Sequence, residues 1–155
     1  MASDRRPTPG AVVWRLSLKW QAAVDRTVAR HGLTHAQYSL LASLRDITYA
    51  GATPTQRQLA DHIGLDEVFV SKLIRTLEGH GLVARAPHPT DARARQLSLT
   101  EGGITVIDAA VIDVHDLLDQ LTQPLGGLGS RTTNDLVDTL QLLLGVPTPI
   151  QEQAP

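Results

Sequence analysis

Lys72 and Arg75 stand three residues apart in a stretch where apolar residues recur at Val70, Leu73, Ile74 and Leu77. That spacing puts the apolar four on one helix face and leaves Val68, Ser71, Lys72 and Arg75 turned away from it. Such a row suits a duplex: lysine or arginine can pair with guanine acceptors, or touch phosphate alone. A second group is Asp91, Arg93 and Arg95, next to the turn-forming Pro87 and Pro89. A turn-tip arginine can enter a minor groove, where narrowing concentrates negative potential. Asp91 can fix that guanidinium by a charge-assisted hydrogen bond, and Arg95 can reach phosphate or simply face water. A third group, Thr55, Gln56 and Arg57, opens a helix, where first-turn amides suit phosphate. Each group has a plainer alternative: solvated helix charges, a surface ion pair worth little, or simple helix capping.

Other chemistries lack their residues. Ser17, Ser39, Ser43 and Asp25 form no nucleophile elbow or carboxylate pair. Gly126-Gly127-Leu128-Gly129 follows a helix and has no Lys-Ser/Thr after it. No catalytic residue is assigned, and the chain is not expected to be an enzyme. Six histidines (His31, His35, His62, His80, His88, His115) are dispersed, with no HxH or HExxH pair. A metal sensor built from histidines gathered in space is the minor alternative; no metal and no cofactor are expected. The absence of cysteine excludes thiol redox sensing, disulfides and cysteine-ligated zinc. There is no run of eighteen apolar residues and no secretory signal at the start, so the expectation is a cytoplasmic protein with no membrane partner.

The elements that must position these groups read as mostly helical. Apolar surface from Val13, Trp14, Leu16, Leu18, Trp20, Val24 and Val28 predicts a first helix over about 10–31, stopped by Gly32. Thr34 with Gln37 and Thr55 with Gln58 are two capping boxes. The second opens a short helix that ends at Gly64. Asp66 caps the next helix, which runs to about Gly79 or His80. Gln58 to Leu77 thus reads as a helix-turn-helix, with the small Ala60 at the close approach. The period then changes: 82–86 and 95–99 read as strands around a turn, a "wing". From Thr100, Ile104, Ile107, Val111, Val114, Leu118 and Leu121 alternate three-four-three-four-three, a heptad-like seam. Residues 124–130 break it, and a last helix over about 132–144 shows Leu136, Leu140 and Leu143.

The fold class expected is mainly α with a small β-wing: a winged helix-turn-helix plus N- and C-terminal dimerisation helices. Residues 1–9 are a flexible arm. Residues 10–145 form one unit, with a DNA-binding lobe at about 34–99 and dimerisation helices at about 10–31 and 100–145; 146–155 is a tail. One winged-helix unit cannot bury the long seam, so a symmetric second copy is expected to cover Ile104, Ile107, Val111, Val114, Leu118, Leu121, Leu136, Leu140 and Leu143. The net charge of −2 hides a gradient: +4 over 1–46, +1 over 47–99 and −7 over 100–155. The first and last segments are expected to meet at the dimer interface. The +1 of the middle predicts weak non-specific affinity for DNA.

This order of elements resembles the MarR family (multiple-antibiotic-resistance regulators) over about 10–145. The most specific stretch is Arg85 to Gly103, with Pro87, Pro89, Asp91, Arg93, Leu99, Thr100 and Gly103 matching the family's wing pattern. The resemblance implies a homodimeric transcription factor, commonly a repressor on a palindromic double-stranded operator, released by a small, often aromatic, effector. It places an effector cavity near the junction of the dimerisation and DNA-binding parts, where Trp14, Arg15, His35 and Tyr38 could line it; for Trp14 and Tyr38 the plainer reading is core. Three departures stand out. His88 replaces a usual acid, and Ala92 replaces a common second arginine. The recognition helix opens Leu-Asp-Glu-Val-Phe-Val rather than with small hydroxyl residues. There Glu67 would repel phosphate unless it reads a cytosine amino group, and Phe69 could meet a thymine methyl. The alternative function is a winged-helix protein–protein adaptor that no longer binds DNA, favoured by Glu67 and the weak +1.

Overall fold

The computed structural model describes residues 6–146. Thr8 caps the first helix, α1 (Pro9–Val28), and Pro9 opens it, where its missing N–H costs nothing. A 3-10 turn over Ala29–His31 then completes the run expected to be α-helical to residue 31. α2 (His35–Tyr49) and α3 (Gln56–Ile63) each begin with a capping box, from Thr34/Gln37 and Thr55/Gln58. Asp66 Oδ1 accepts from Phe69 N–H and starts α4 (Glu67–Gly79). Between α3 and α4, Gly64 takes φ +68°, and Leu65 N–H reaches back to Ala60 O while Gly64 N–H reaches Asp61 O. This closes α3 in a left-handed turn that a Cβ would strain.

β1 (Val83–Pro87) and β2 (Arg95–Leu99) pair antiparallel from Val83↔Leu99 to Pro87↔Arg95. The first strand lies one residue later than the sequence suggests, because Leu82 N–H still donates to Leu77 O at the end of the preceding helix. A third piece joins the sheet: Pro54 O accepts from Leu97 N–H, and Thr55 bridges Gln96. The start of α3 is thereby tied to the wing. α5 (Glu101–Thr122) and α6 (Arg131–Leu144) are the last helices among the described residues. Gly103 lets α5 begin against the backbone of Leu82, where a Cβ would lie 2.0 Å from the carbonyl oxygen.

The described residues divide into two compact units within α5, one up to Val114 and one from His115, where one unit over 10–145 is expected from the sequence. The core of the first holds Leu40, Leu41 and Leu44 of α2, Leu59 and Ala60 of α3, and Val70, Ile74 and Leu77 of α4. Val83 and Leu97 add the wing's inner face. Each such Leu or Ile supplies about 1.5–3 kcal/mol of burial, so the helix-turn-helix is held from its inner side and its outer side is left free. In the second unit Asp119 Oδ1 accepts from Leu128 N–H, and Thr133 Oγ1 donates to Gly127 O, which fixes the break before α6. The expected arm at 1–9 lies outside the described residues at 1–5, and the tail at 146–155 lies outside them beyond Val146.

The seam of α5 departs from expectation. Ile107 and Val114 are buried within a single copy of the chain, so they are core and are not free for a second copy. The first half of α5 is held against its own unit by Arg45–Asp108 and by His31 Nε2–Asp113 Oδ2 at 2.6 Å, with Arg30 nearby at 3.6 Å. Acids of the C-terminal segment therefore already meet cations of the N-terminal one within one chain. Ile104 and Leu143 are exposed, while Val111, Leu118, Leu121, Leu136 and Leu140 are half-buried. Much of the free apolar surface lies elsewhere. On α1 it is Val12, Val13, Trp14 and Leu18; on α6 it is Leu142 and Leu144, beside Leu143.

Candidate nucleic-acid interface

The outer face of α4 is built by its inner one. Val70, Ile74 and Leu77 are fully buried, and the helical period then turns Val68, Lys72 and Arg75 to solvent, with Ser71 half-buried. Arg75 Nη2 donates to Ser71 Oγ at 3.3 Å, one turn back, so the guanidinium lies along the helix toward its N-terminal end. Phe69 is exposed beside them. Gln56 and Glu67 join Val68, Ser71, Lys72 and Arg75 around a concavity of about 310 Å³.

A second concavity, about 480 Å³, lies between α3 and the wing. Its walls are Thr55, Gln56, Arg57 and Gln58 on one side and Asp91, Arg93 and Arg95 on the other, with Glu67 and His88 between. Thr55 is a working cap: its Oγ1 accepts from Gln58 N–H at 3.2 Å and its own N–H is taken by Gln58 Oε1. Arg57 is exposed, and the amides of Gln56 and Arg57 in the first turn have no intrahelical acceptor. The three groups singled out in the sequence thus share one surface.

Two details of the wing differ from what the sequence suggests. Asp91 does not grip the Arg93 guanidinium; its Oδ1 accepts from the Arg93 backbone N–H at 3.0 Å, a local turn closure. The Arg93 side chain makes no ion pair among the described residues and is exposed. His88, a departure from the expected wing pattern, has a job: its Nδ1 accepts from Thr90 N–H at 3.3 Å and Asp91 N–H at 3.2 Å. Sequence reasoning missed this role because a histidine carries no turn signal of its own.

Arg85 is withdrawn from the surface cations by an ion pair with Glu78, which joins β1 to α4. The hydrogen bond from Arg85 holds the Glu78 carboxyl below its ordinary range. Thr100 latches the base of the wing: its Oγ1 donates to Gly81 O at 2.6 Å and accepts from Gly103 N–H at 2.9 Å.

The expected effector residues are not brought together in the same way. Trp14 is 65% exposed, so it is not core. Arg15 lines a shallow concavity of about 370 Å³ with Val12, Leu16 and Lys19, all of α1. His35 and Tyr38 are half-buried on α2. His35 N–H donates to Asp25 Oδ1 at 2.6 Å, and burial raises the Tyr38 phenol above its ordinary range. Among the described residues, no hydrogen bond or ion pair joins the two pairs. No group of three or more potential metal ligands occurs among the described residues either.

A helix-turn-helix with an antiparallel wing and a bare, cation-bearing second helix defines a winged-helix protein of the DNA-binding type. A family model described as MarR family matches residues 33–94. The chain is 36% identical over 118 residues to the uncharacterized HTH-type transcriptional regulator YdcH of Bacillus subtilis (strain 168), across 76% of this chain and 80% of that one. Among solved structures it is similar to apo MarR of E. coli, at 26% identity and TM-score 0.68 over 90% of this chain and 96% of that one. It is also similar to the transcriptional repressor CouR bound to a 23-mer DNA duplex, at 27% identity and TM-score 0.73 over 90% and 93%. The chain belongs to the MarR family, a family of transcriptional regulators. No helix among the described residues is long and apolar enough to cross a membrane.

Proposed function

We propose that two copies of this chain bind an imperfect palindrome in double-stranded DNA and act as a repressor. The observation that carries this reading is the convergence of Lys72, Arg75, Arg57, Arg93 and Arg95 on one surface around two concavities. The α4 helices enter successive major grooves, about one helical turn apart. Arg93 reaches the flanking minor groove, and Arg57 with the free first-turn amides of α3 holds phosphate. The exposed apolar residues of α1 and α6 supply the contact between copies, in place of Ile107 and Val114.

A small molecule relieves repression by favouring a different spacing of the two reading heads, and its leverage is its differential affinity for the two spacings. CouR of Rhodococcus jostii RHA1 has a structure with p-coumaroyl-CoA bound. Here the Trp14 and Arg15 side of α1 offers an aromatic plane and a cation to an anionic aromatic ligand. Thermal-shift screening with aromatic acids tests this half of the reading, through a rise in melting temperature.

Binding to random duplex as a function of salt tests the other half. A DNA binder shows log K falling linearly with log salt. An adaptor without DNA binding shows no such dependence, and that result would defeat the proposal. Sedimentation should show a dimer at micromolar concentration.

A further inference from the structure

Glu67 is an acid on a surface whose other charged residues are five cations and Asp91, which closes the wing turn through the Arg93 N–H. It is the first residue of α4 and is exposed. With Gln56 it is shared by the two concavities, so it sits between Lys72 and Arg75, proposed to face bases, and Arg57, Arg93 and Arg95, proposed to face phosphate and the minor groove. Among the described residues it makes no hydrogen bond or ion pair. Its plain use would be as a negative charge at a helix N-terminus, but Asp66 already supplies one there and caps the helix through Phe69 N–H. A second, unpaired carboxylate facing a polyanion weakens binding to every sequence unless a donor meets it. In the major groove, cytosine is the base whose edge offers an amino donor without a neighbouring acceptor. The next residue, Val68, is apolar and 64% exposed. The apolar group on a base edge in the major groove is the thymine C5-methyl.

We propose that Glu67 and Val68 determine operator choice: each half-site carries a C·G pair whose cytosine amine donates to the Glu67 carboxylate, and a nearby T·A pair whose methyl lies against Val68. Glu67 also acts against wrong sites, since guanine acceptors or a phosphate at its position are repelled. The inference rests on the DNA-binding reading above and deepens it.

The test is selection of bound duplexes from a random pool by the full chain and by Glu67→Gln, followed by affinity measurements on the selected duplex. A good base contact is worth roughly 5- to 150-fold in discrimination. Glu67→Gln should lose the cytosine from its selected motif, bind the parental duplex about tenfold more weakly, and bind random duplex slightly more tightly. Replacing the thymine by deoxyuridine should weaken the parent several-fold and should cost Val68→Ala almost nothing further. A Glu67→Gln variant that selects the same motif and binds all duplexes more tightly would overturn the inference while leaving DNA binding intact. A parent chain that binds no duplex at any salt concentration would overturn the function reading and this inference with it.

Discussion

Replacing Gly103 by alanine would place a Cβ 2.0 Å from the Leu82 carbonyl oxygen and 2.9 Å from its carbon. Ordinary contact begins near 3.4 Å, so α5 and the Leu82 backbone ahead of β1 would have to separate by about 1.4 Å, and no flexible side chain is there to yield. Two hydrogen bonds span this junction, Thr100 N–H to Leu82 O at 3.1 Å and Thr100 Oγ1 to Gly81 O, and Gly103 N–H to Thr100 Oγ1 ties the start of α5 to them. A shift of that size stretches the first beyond hydrogen-bond range. Overpacking of this kind costs about 1–3 kcal/mol, and each broken hydrogen bond adds about 1 kcal/mol. The sum is roughly 2–5 kcal/mol, or a fall in melting temperature of about 5–15 °C for a chain of this size. Gly102→Ala is the control, since its Cβ meets Gly81 O at 3.6 Å, an ordinary contact. Thermal unfolding followed by circular dichroism should separate the two variants clearly. Should Gly103→Ala melt within about 2 °C of the parent, the close approach of α5 to the wing is wrong.

Arg93→Ala should weaken random and operator duplexes alike and lower the salt slope by about 0.9 for each phosphate that the guanidinium neutralises in the parent; an unchanged slope in fluorescence anisotropy would remove Arg93 from the interface. Arg75→Ala should instead relax base preference, read from the selected motif. The Glu78 carboxyl, held low by Arg85, should titrate below the ordinary 4.5 by carbon NMR and return toward it in Arg85→Ala. The sign follows from linkage: a depressed folded-state value contributes stability above the unfolded one, and that contribution is lost as pH falls through the folded value. Thr55→Ala should cost about 0.5–2 kcal/mol in chemical denaturation through loss of the cap; a neutral result would mean that the wing bridge alone holds the start of α3.

The features legible in the sequence are those whose partner is local. Thr34 and Thr55 announce their helices because the residue that completes each box lies three positions away. Asp66 caps α4 by the same logic. What escapes has a distant partner or a choice of atoms. The bridge of Thr55 to Gln96 spans forty-one positions with no pattern to mark it. Asp91 is close enough to Arg93, but spacing cannot say whether the carboxylate takes the backbone or the side chain. The α5 seam shows the same limit: periodicity says that Ile107 and Val114 share a face, and not whether that face meets its own chain or another. Trp14 departs in the opposite sense, as a large aromatic left outside the core of one copy.

The modest charge of the reading surface has a consequence for how it must work. Pairing of Arg85 with Glu78 removes one cation and one acid from the middle segment, so its +1 is unchanged. Asp108 and Asp113 of the acidic segment are engaged by Arg45, Arg30 and His31, which reduces their repulsion of phosphate. The remaining attraction comes from five side chains spread over two concavities, opposed by Glu67 and Asp91. With so little net charge, the non-specific binding expected is weak, and few phosphate contacts give it a shallow salt slope. A regulator in that position finds its site through the ratio of specific to non-specific affinity, and weakening the second term raises that ratio as surely as strengthening the first. On the proposed reading, an unpaired acid such as Glu67 weakens general adhesion and sharpens choice between sites.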